Sequence, residues 1–440
     1  MHRTTIHFFL YAFSFLCFAL VGTPACAQRT VRETMQAAAQ GDAGAQYDLA
    51  VCCLFGDGVP QDSVKAFKYF EQAAAQDYVP ALRAMGNAHR DGDGVARSAE
   101  RAADYFERAA QQGDTVAMME LVALYDDYRN PNWSAAKRDE WLKRAAEAGC
   151  QAGKVGYALG FLNSYSSSAK QQEGWEMLRR LADSGNTDAM VELGHACFDG
   201  KGTKKDRVAA AQWYRRAAEA GNARGMMCMA TCYRDGKGVA MDNQEMCAWY
   251  RRAAEAGNEN GMFFYAKCLE RGNGCPSDLA AAWAWYRRGA DLGEDRCLTQ
   301  LGRWLLTGVG GTADIPRALT CLRQAVAAKN GEACTLLGTC YRDGVGVKRD
   351  MAQAREMWKL SYEYHDRAGA ELLACSLEDY AQERAADARS QEDYDEASKA
   401  MDMATHIWHD IVRWHDENYP LPLKQNPDTG DYETDDTRTY

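Results

Sequence analysis

Apolar and small residues recur in this chain at spacings of three and four, and the stripes they form return every 36 residues. Ala189, Met190, Leu193, Gly194 and Cys197 make one such stripe, and Gly225, Met226, Met229, Ala230 and Tyr233 repeat it one period later. That spacing is one face of an α-helix. A second helical run closes each unit: Ala217-Ala218-Glu219-Ala220-Gly221 comes back as Ala253-Ala254-Glu255-Ala256-Gly257. With the closing residue taken as slot 0, it falls at Gly41, Asp77, Gly113, Gly149, Gly185, Gly221, Gly257, Gly293, Lys329 and His365, nine units of 36 without insertion or deletion.

The punctuation has the same period. Glycine pairs stand at slots 15 and 17, as in Gly56/Gly58, Gly92/Gly94, Gly200/Gly202 and Gly344/Gly346, except where Tyr128/Asn130 and Ser164/Ser166 replace them. Slot 21 holds a helix N-cap residue (Asp62, Ser98, Ser134, Asp206, Asp242, Asp278, Asp314, Asp350), with Lys170 the exception. A short polar side chain there accepts from the free amides of a first helical turn. Slot 28 is usually aromatic (Tyr69, Tyr105, Trp141, Trp213, Trp249, Trp285). The pattern predicts helix A over slots 2–14 and helix B over slots 22–35, with Gly or Ala at slot 9 admitting a neighbouring helix backbone. One hairpin cannot bury such a stripe, so the hairpins must stack. The predicted fold is all-α, an α-solenoid of helix-turn-helix units wound as a right-handed superhelix.

These residues resemble Sel1-like repeats, relatives of the tetratricopeptide repeats. The match is clearest from Ala189 to Gly257, including Tyr233-Arg234-Asp235-Gly236-Lys237-Gly238-Val239. On this reading residues 28–41 are an N-terminal capping helix, 42–365 nine repeats, 366–418 C-terminal capping helices and 419–440 a disordered acidic tail. The resemblance implies protein-protein adaptor and scaffold roles. It also implies cysteine-rich secreted relatives with one regular disulfide per repeat, some of which bind penicillin or peptidoglycan fragments.

The first residues read as an export signal. His2 and Arg3 precede an apolar run from Phe8 to Gly22, and Ala25 and Ala27 form an A-x-A cleavage site, the layout of a secretory peptide over residues 1–27. The run falls short of the about 20 residues of a membrane span. The expected product is periplasmic or secreted and has no transmembrane segment. Lipid anchoring at Cys26 is the rival, disfavoured by Thr23 where such signals usually carry Leu. With 51 Lys and Arg against 62 Asp and Glu the net charge is −11, which argues against nucleic acid as a partner.

Cleavage leaves 14 of the 16 cysteines. Cys52, Cys232, Cys268 and Cys340 share slot 11 with Ala88, Gly160 and Ala196, so cysteine acts there as a small hydrophobe. Two pairings remain open geometrically, Cys232–Cys247 and Cys321–Cys340. No pair recurs at a fixed spacing, a departure from the cysteine-rich relatives. Ser134 and Ser167 each begin an S-x-x-K, the acylating motif of penicillin-binding enzymes, but Ser134 fills the N-cap slot and no K-T-G follows. His406 and His409 share a helical face, yet His415 falls off that turn, and a capping helix explains them better than a metal. Neither a catalytic set, a metal site nor a cofactor is expected.

Helix A carries another face, at slots 6, 10 and 13, whose residues change freely between units: Val191, His195, Phe198; Met227, Thr231, Arg234; Phe263, Lys267, Glu270; Thr299, Arg303, Leu306. A concave face of this mixed chemistry suits a protein or peptide partner. The expected function is an exported, non-catalytic binding scaffold. The alternative is a hydrolase acting on peptidoglycan or β-lactams.

Overall fold

The computed structural model describes residues 30–127, 133–162, 166–418, 423–425 and 432–434. The expected signal peptide lies outside the described residues, as do Cys26, Tyr128, Asn130 and Ser164. The chain forms an all-α repeat fold that divides into two bodies at Ala220. The first holds α1 (Val31–Ala39), α2 (Ala43–Phe55), α3 (Ser63–Ala75), α4 (Val79–Asp91), α5 (Ala99–Gln111), α6 (Thr115–Asp126), α7 (Ala135–Glu147), α8 (Gln151–Phe161), α9 (Ser168–Asp183), α10 (Thr187–Asp199) and α11 (Arg207–Glu219). The second holds α12 (Ala223–Asp235), α13 (Asn243–Glu255), α14 (Glu259–Arg271), α15 (Leu279–Asp291), α16 (Asp295–Thr307), α17 (Ile315–Ala327), α18 (Gly331–Asp343), α19 (Met351–Glu363), α20 (Arg367–Asp387) and α21 (Gln391–Asn418). Within each body every helix packs on the next in sequence.

Caps fix where the helices begin. The Asp206 carboxylate accepts from the amides of Val208 and Ala209, each at 2.9 Å. The Lys170 exception is resolved by a shift in start. Ser167 becomes the cap, its hydroxyl accepting from the Lys170 amide at 3.4 Å, and α9 starts three residues early. Helix A has its own caps at slot 1, where Asn186, Asn222 and Asn258 accept from the amides of Ala189, Gly225 and Gly261.

The aromatic that fills the core sits at slot 29, one residue beyond the repeating aromatic seen in the sequence. Phe70, Phe106, Tyr214, Tyr250, Tyr286 and Trp358 are all buried there, each ring contributing about 1.5–3 kcal/mol. The slot 28 tryptophans lie beneath the arginine three residues on, Trp213 under Arg216 at 4.4 Å and Trp249 under Arg252 at 4.5 Å, and Trp141 and Trp249 are buried as well. The core ring adds a second demand at slot 9. A Cβ at Gly194 would lie 2.3 Å from the Tyr214 ring and one at Gly86 2.5 Å from the Phe106 ring. The small residue clears a slot 29 ring of its own repeat, and at Gly338 it also admits the B-helix backbone, where a Cβ would stand 3.1 Å from the Ala354 carbonyl oxygen.

At the C-terminal end Ile407 and Ile411 of α21 close a core with Trp358 of α19 and Leu373 of α20. Within the expected tail, Leu423–Gln425 pairs antiparallel with Tyr432–Thr434. Among the described residues no helix is long and apolar enough to cross a membrane.

Candidate interaction face on the first helix of each repeat

Three of the four expected slot 6 residues are covered. Val191 on α10 is fully buried, as are Phe263 on α14 and Thr299 on α16, so these three cannot line a groove. The reason is visible at Phe263, where Arg296 from the A helix of the next repeat lies 4.5 Å above the ring and Lys267 5.5 Å from it. Thr299 turns inward and donates to the Asp295 carbonyl at 2.8 Å. Met227, at the same slot on α12, stays half-buried.

Slots 10 and 13 keep partial exposure. In the first body the His195 Nδ1 lies 2.8 Å from the Tyr214 hydroxyl, and Phe198 is covered by Arg207 at 5.8 Å. In the second body Thr231 bonds back to the Met227 carbonyl at 3.1 Å, and Arg234 is exposed, its Nε donating to Asp235 at 2.7 Å. Glu270 accepts from the Tyr286 hydroxyl at 2.7 Å. Burial first, and then that carboxylate, push the phenol well above its usual range. Arg303 pairs with Glu332 of α18, and Leu306 is half-buried beside it.

Slot 3, which the sequence reading passed over, belongs to the same face. Arg296 donates to Asn260, its equivalent one repeat earlier, and to Glu294 at 2.7 Å. Glu332, the partner of Arg303, is the slot 3 residue of the following repeat. Extending the spacing of slots 6, 10 and 13 one step toward the helix start would have found it.

The chemical candidates resolve into structural roles. The Ser134 and Ser167 hydroxyls accept from the amides of Lys137 and Lys170, so both serines are helix caps. His406 faces Asp410 at 3.6 Å. Among the described residues no group of three or more His, Cys, Asp and Glu is placed to hold a metal ion. The structure holds the cysteines from Cys52 to Cys375 as unbridged thiols, the Cys232, Cys247, Cys321 and Cys340 of the two expected pairings among them. Cys247 meets Cys268 and Cys275 rather than Cys232. Cys321 packs with Leu298 and Leu322, whereas Cys340 packs with Leu319 and Leu337. Cys232 is buried at 4% exposure, which raises its thiol to about 11 and keeps external reagents from it. An open depression of about 270 Å³ is lined by Lys154, Met177, Arg180 and Leu181, none of them an expected site residue.

The Sel1 repeat family model matches residues 43–78, 79–114, 140–150, 187–222, 223–258, 260–294, 296–330 and 331–363. The shortened match falls where the glycine pairs are missing. Among solved structures, c5321, a protective antigen of uropathogenic Escherichia coli with an SLR fold, is 21% identical, with a TM-score of 0.45 and coverage of 90% of this chain and 99% of that one. A Sel1 repeat protein from Oxalobacter formigenes is 24% identical, TM-score 0.43, covering 70% and 89%. The immunity protein Pa5087 of Pseudomonas aeruginosa is 20% identical, TM-score 0.33, covering 56% and 92%. No curated protein matches the chain.

Proposed function

Because this chain belongs to the Sel1 repeat family, whose members are generally protein-interaction scaffolds, we propose that it is an exported, non-catalytic scaffold. It would hold a protein or peptide segment on the A-helix face of its second body. One observation carries the reading. In the second body slots 4, 5, 8, 9 and 12 stay small or apolar from repeat to repeat, while slots 3, 10 and 13 carry a changing set: Arg234, Lys267, Glu270, Arg296, Arg303 and Glu332. A core explains constancy of kind, and a partner explains a varied, half-exposed row of charges above buried Phe263.

The test is recovery of partners from envelope extract by the intact protein and by a Lys267→Glu, Arg303→Glu variant. Both side chains are half-buried at the surface; in a variant that keeps the helical circular dichroism and thermal midpoint of the parent, bound partner falls about tenfold for a loss near 1.4 kcal/mol. Equal recovery would discard the face. Export rests on the A-x-A site; an intact mass showing cleavage after Ala27 supports it, and an uncleaved or lipidated Cys26 form replaces it. The hydrolase alternative has lost its nucleophile candidates to capping, and purified protein should leave nitrocefin and muropeptides unchanged.

A further inference from the structure

Three thiols from separate elements meet in the second body. Cys247 lies on α13, Cys268 on α14, and Cys275 in the turn that precedes α15. The Cys247 thiol is in hydrogen-bond contact with both others. The turn is pressed onto α13: a Cβ at Gly274 would stand 1.8 Å from the Asn243 carbonyl oxygen and 3.0 Å from the Cys247 Cβ. Its start is tied to the third member, the Asn273 amide donating to the Cys268 carbonyl at 3.0 Å.

Two of the three depart from the repeat. Slot 18 is Val59, Val95, Val239 and Val347 in four units and Pro131, Ser167, Thr203 and Gly311 in the rest, and slot 26 varies from Phe67 and Ala103 to Asp139, Trp283 and Arg355, but neither slot carries cysteine in any other unit. Cys275 and Cys247 are the departures, and they touch. Cys247 and Cys268 are buried at 4% and 5% exposure, whereas Cys275 is half-buried. Solvent therefore reaches the trio through Cys275.

We propose that Cys275 and Cys247 are a thiol-disulfide exchange pair, open through Cys275 to an external disulfide and closing to a Cys247–Cys275 bond. The Cys275 thiolate attacks one sulfur of the incoming R–S–S–R and expels one R–S⁻, which takes up a proton. Cys247 then loses its proton to water, and its sulfur displaces the second R–S⁻ from Cys275. Two protein S–H bonds are lost, one S–S bond forms, and the external disulfide is reduced to two thiols. Burial holds Cys275 up at about 11, so the exchange quickens with rising pH. Cys268 touches Cys247 from the buried side, where no external disulfide reaches it.

The folded full-length protein, treated with oxidised glutathione at pH 8 and alkylated, is digested without reduction and mapped by mass. The Cys247 peptide should be joined to the Cys275 peptide, about 2 Da lighter than the two thiols. Cys268→Ala, the residue that Ala88 and Ala196 already supply at that slot, should keep the bond. Cys275→Ser should lose it while retaining the helical circular dichroism of the parent. A Cys247–Cys268 bond, a lasting glutathione adduct on Cys275, or no oxidation would each overturn the proposal.

Discussion

The two turns of each repeat both use left-handed backbone, yet they tolerate change differently. At the closing turn Gly113 has φ 85° and Gly221 has φ 88°, while Asp77, Lys329 and His365 take φ of 57°, 64° and 59° at the same slot. A Cβ at Gly113, Gly149 or Gly185 would meet nothing within 4 Å. At the mid-repeat turn the second glycine is different. A Cβ there would stand 1.7 Å from Phe67 at Gly94, 2.3 Å from the Gln171 carbonyl oxygen at Gly202 and 1.8 Å from the Asn243 carbonyl oxygen at Gly274. Those neighbours all belong to the B helix of the preceding repeat. The closing turn asks only for a backbone conformation, whereas the mid-repeat turn is also the place where repeats touch.

The sharpest way to break that comparison is Gly274→Ala. The clash is with backbone, which cannot swing aside, and it adds to the cost of φ 79°. A loss of about 3 kcal/mol or more follows, read as a lower denaturant midpoint. Gly113→Ala keeps the strain and loses the clash, so it should cost about 1 kcal/mol. Equal losses at the two sites would mean that space plays no part.

The same contrast explains what the sequence disclosed. Period, helices and turns were legible because each recurs at one slot, and substitutions such as Asp77 for glycine left the period intact. Partners across repeats were less legible. The slot 29 ring was overshadowed by the more conspicuous Trp at slot 28, because composition does not say which of two adjacent aromatics turns inward. Slot 6 read as a surface because its residues vary, but Val191, Phe263 and Thr299 are covered by packing, which accepts any side chain of suitable volume. The Cys247 contacts join slots 26, 11 and 18 across two repeats, a juxtaposition that no spacing along one helix reveals. The Asn caps at slot 1 are visible in the sequence at the same period as the caps of slot 21.

The smallest effect sharpens the conformational half of the comparison. Lys329 holds φ 64° at an exposed closing position, so the strain of a left-handed lysine, about 1–2 kcal/mol, is stored without any packing to offset it. Lys329→Gly releases that strain but gives the unfolded chain more freedom, which returns about 0.4–1 kcal/mol. The balance is a stabilisation of about 0.5 kcal/mol, seen as a higher urea midpoint at unchanged slope. A destabilised variant would show that the lysine side chain supports the turn in its own right. In that case the closing slot, like the mid-repeat glycine, would depend on contacts beyond its backbone.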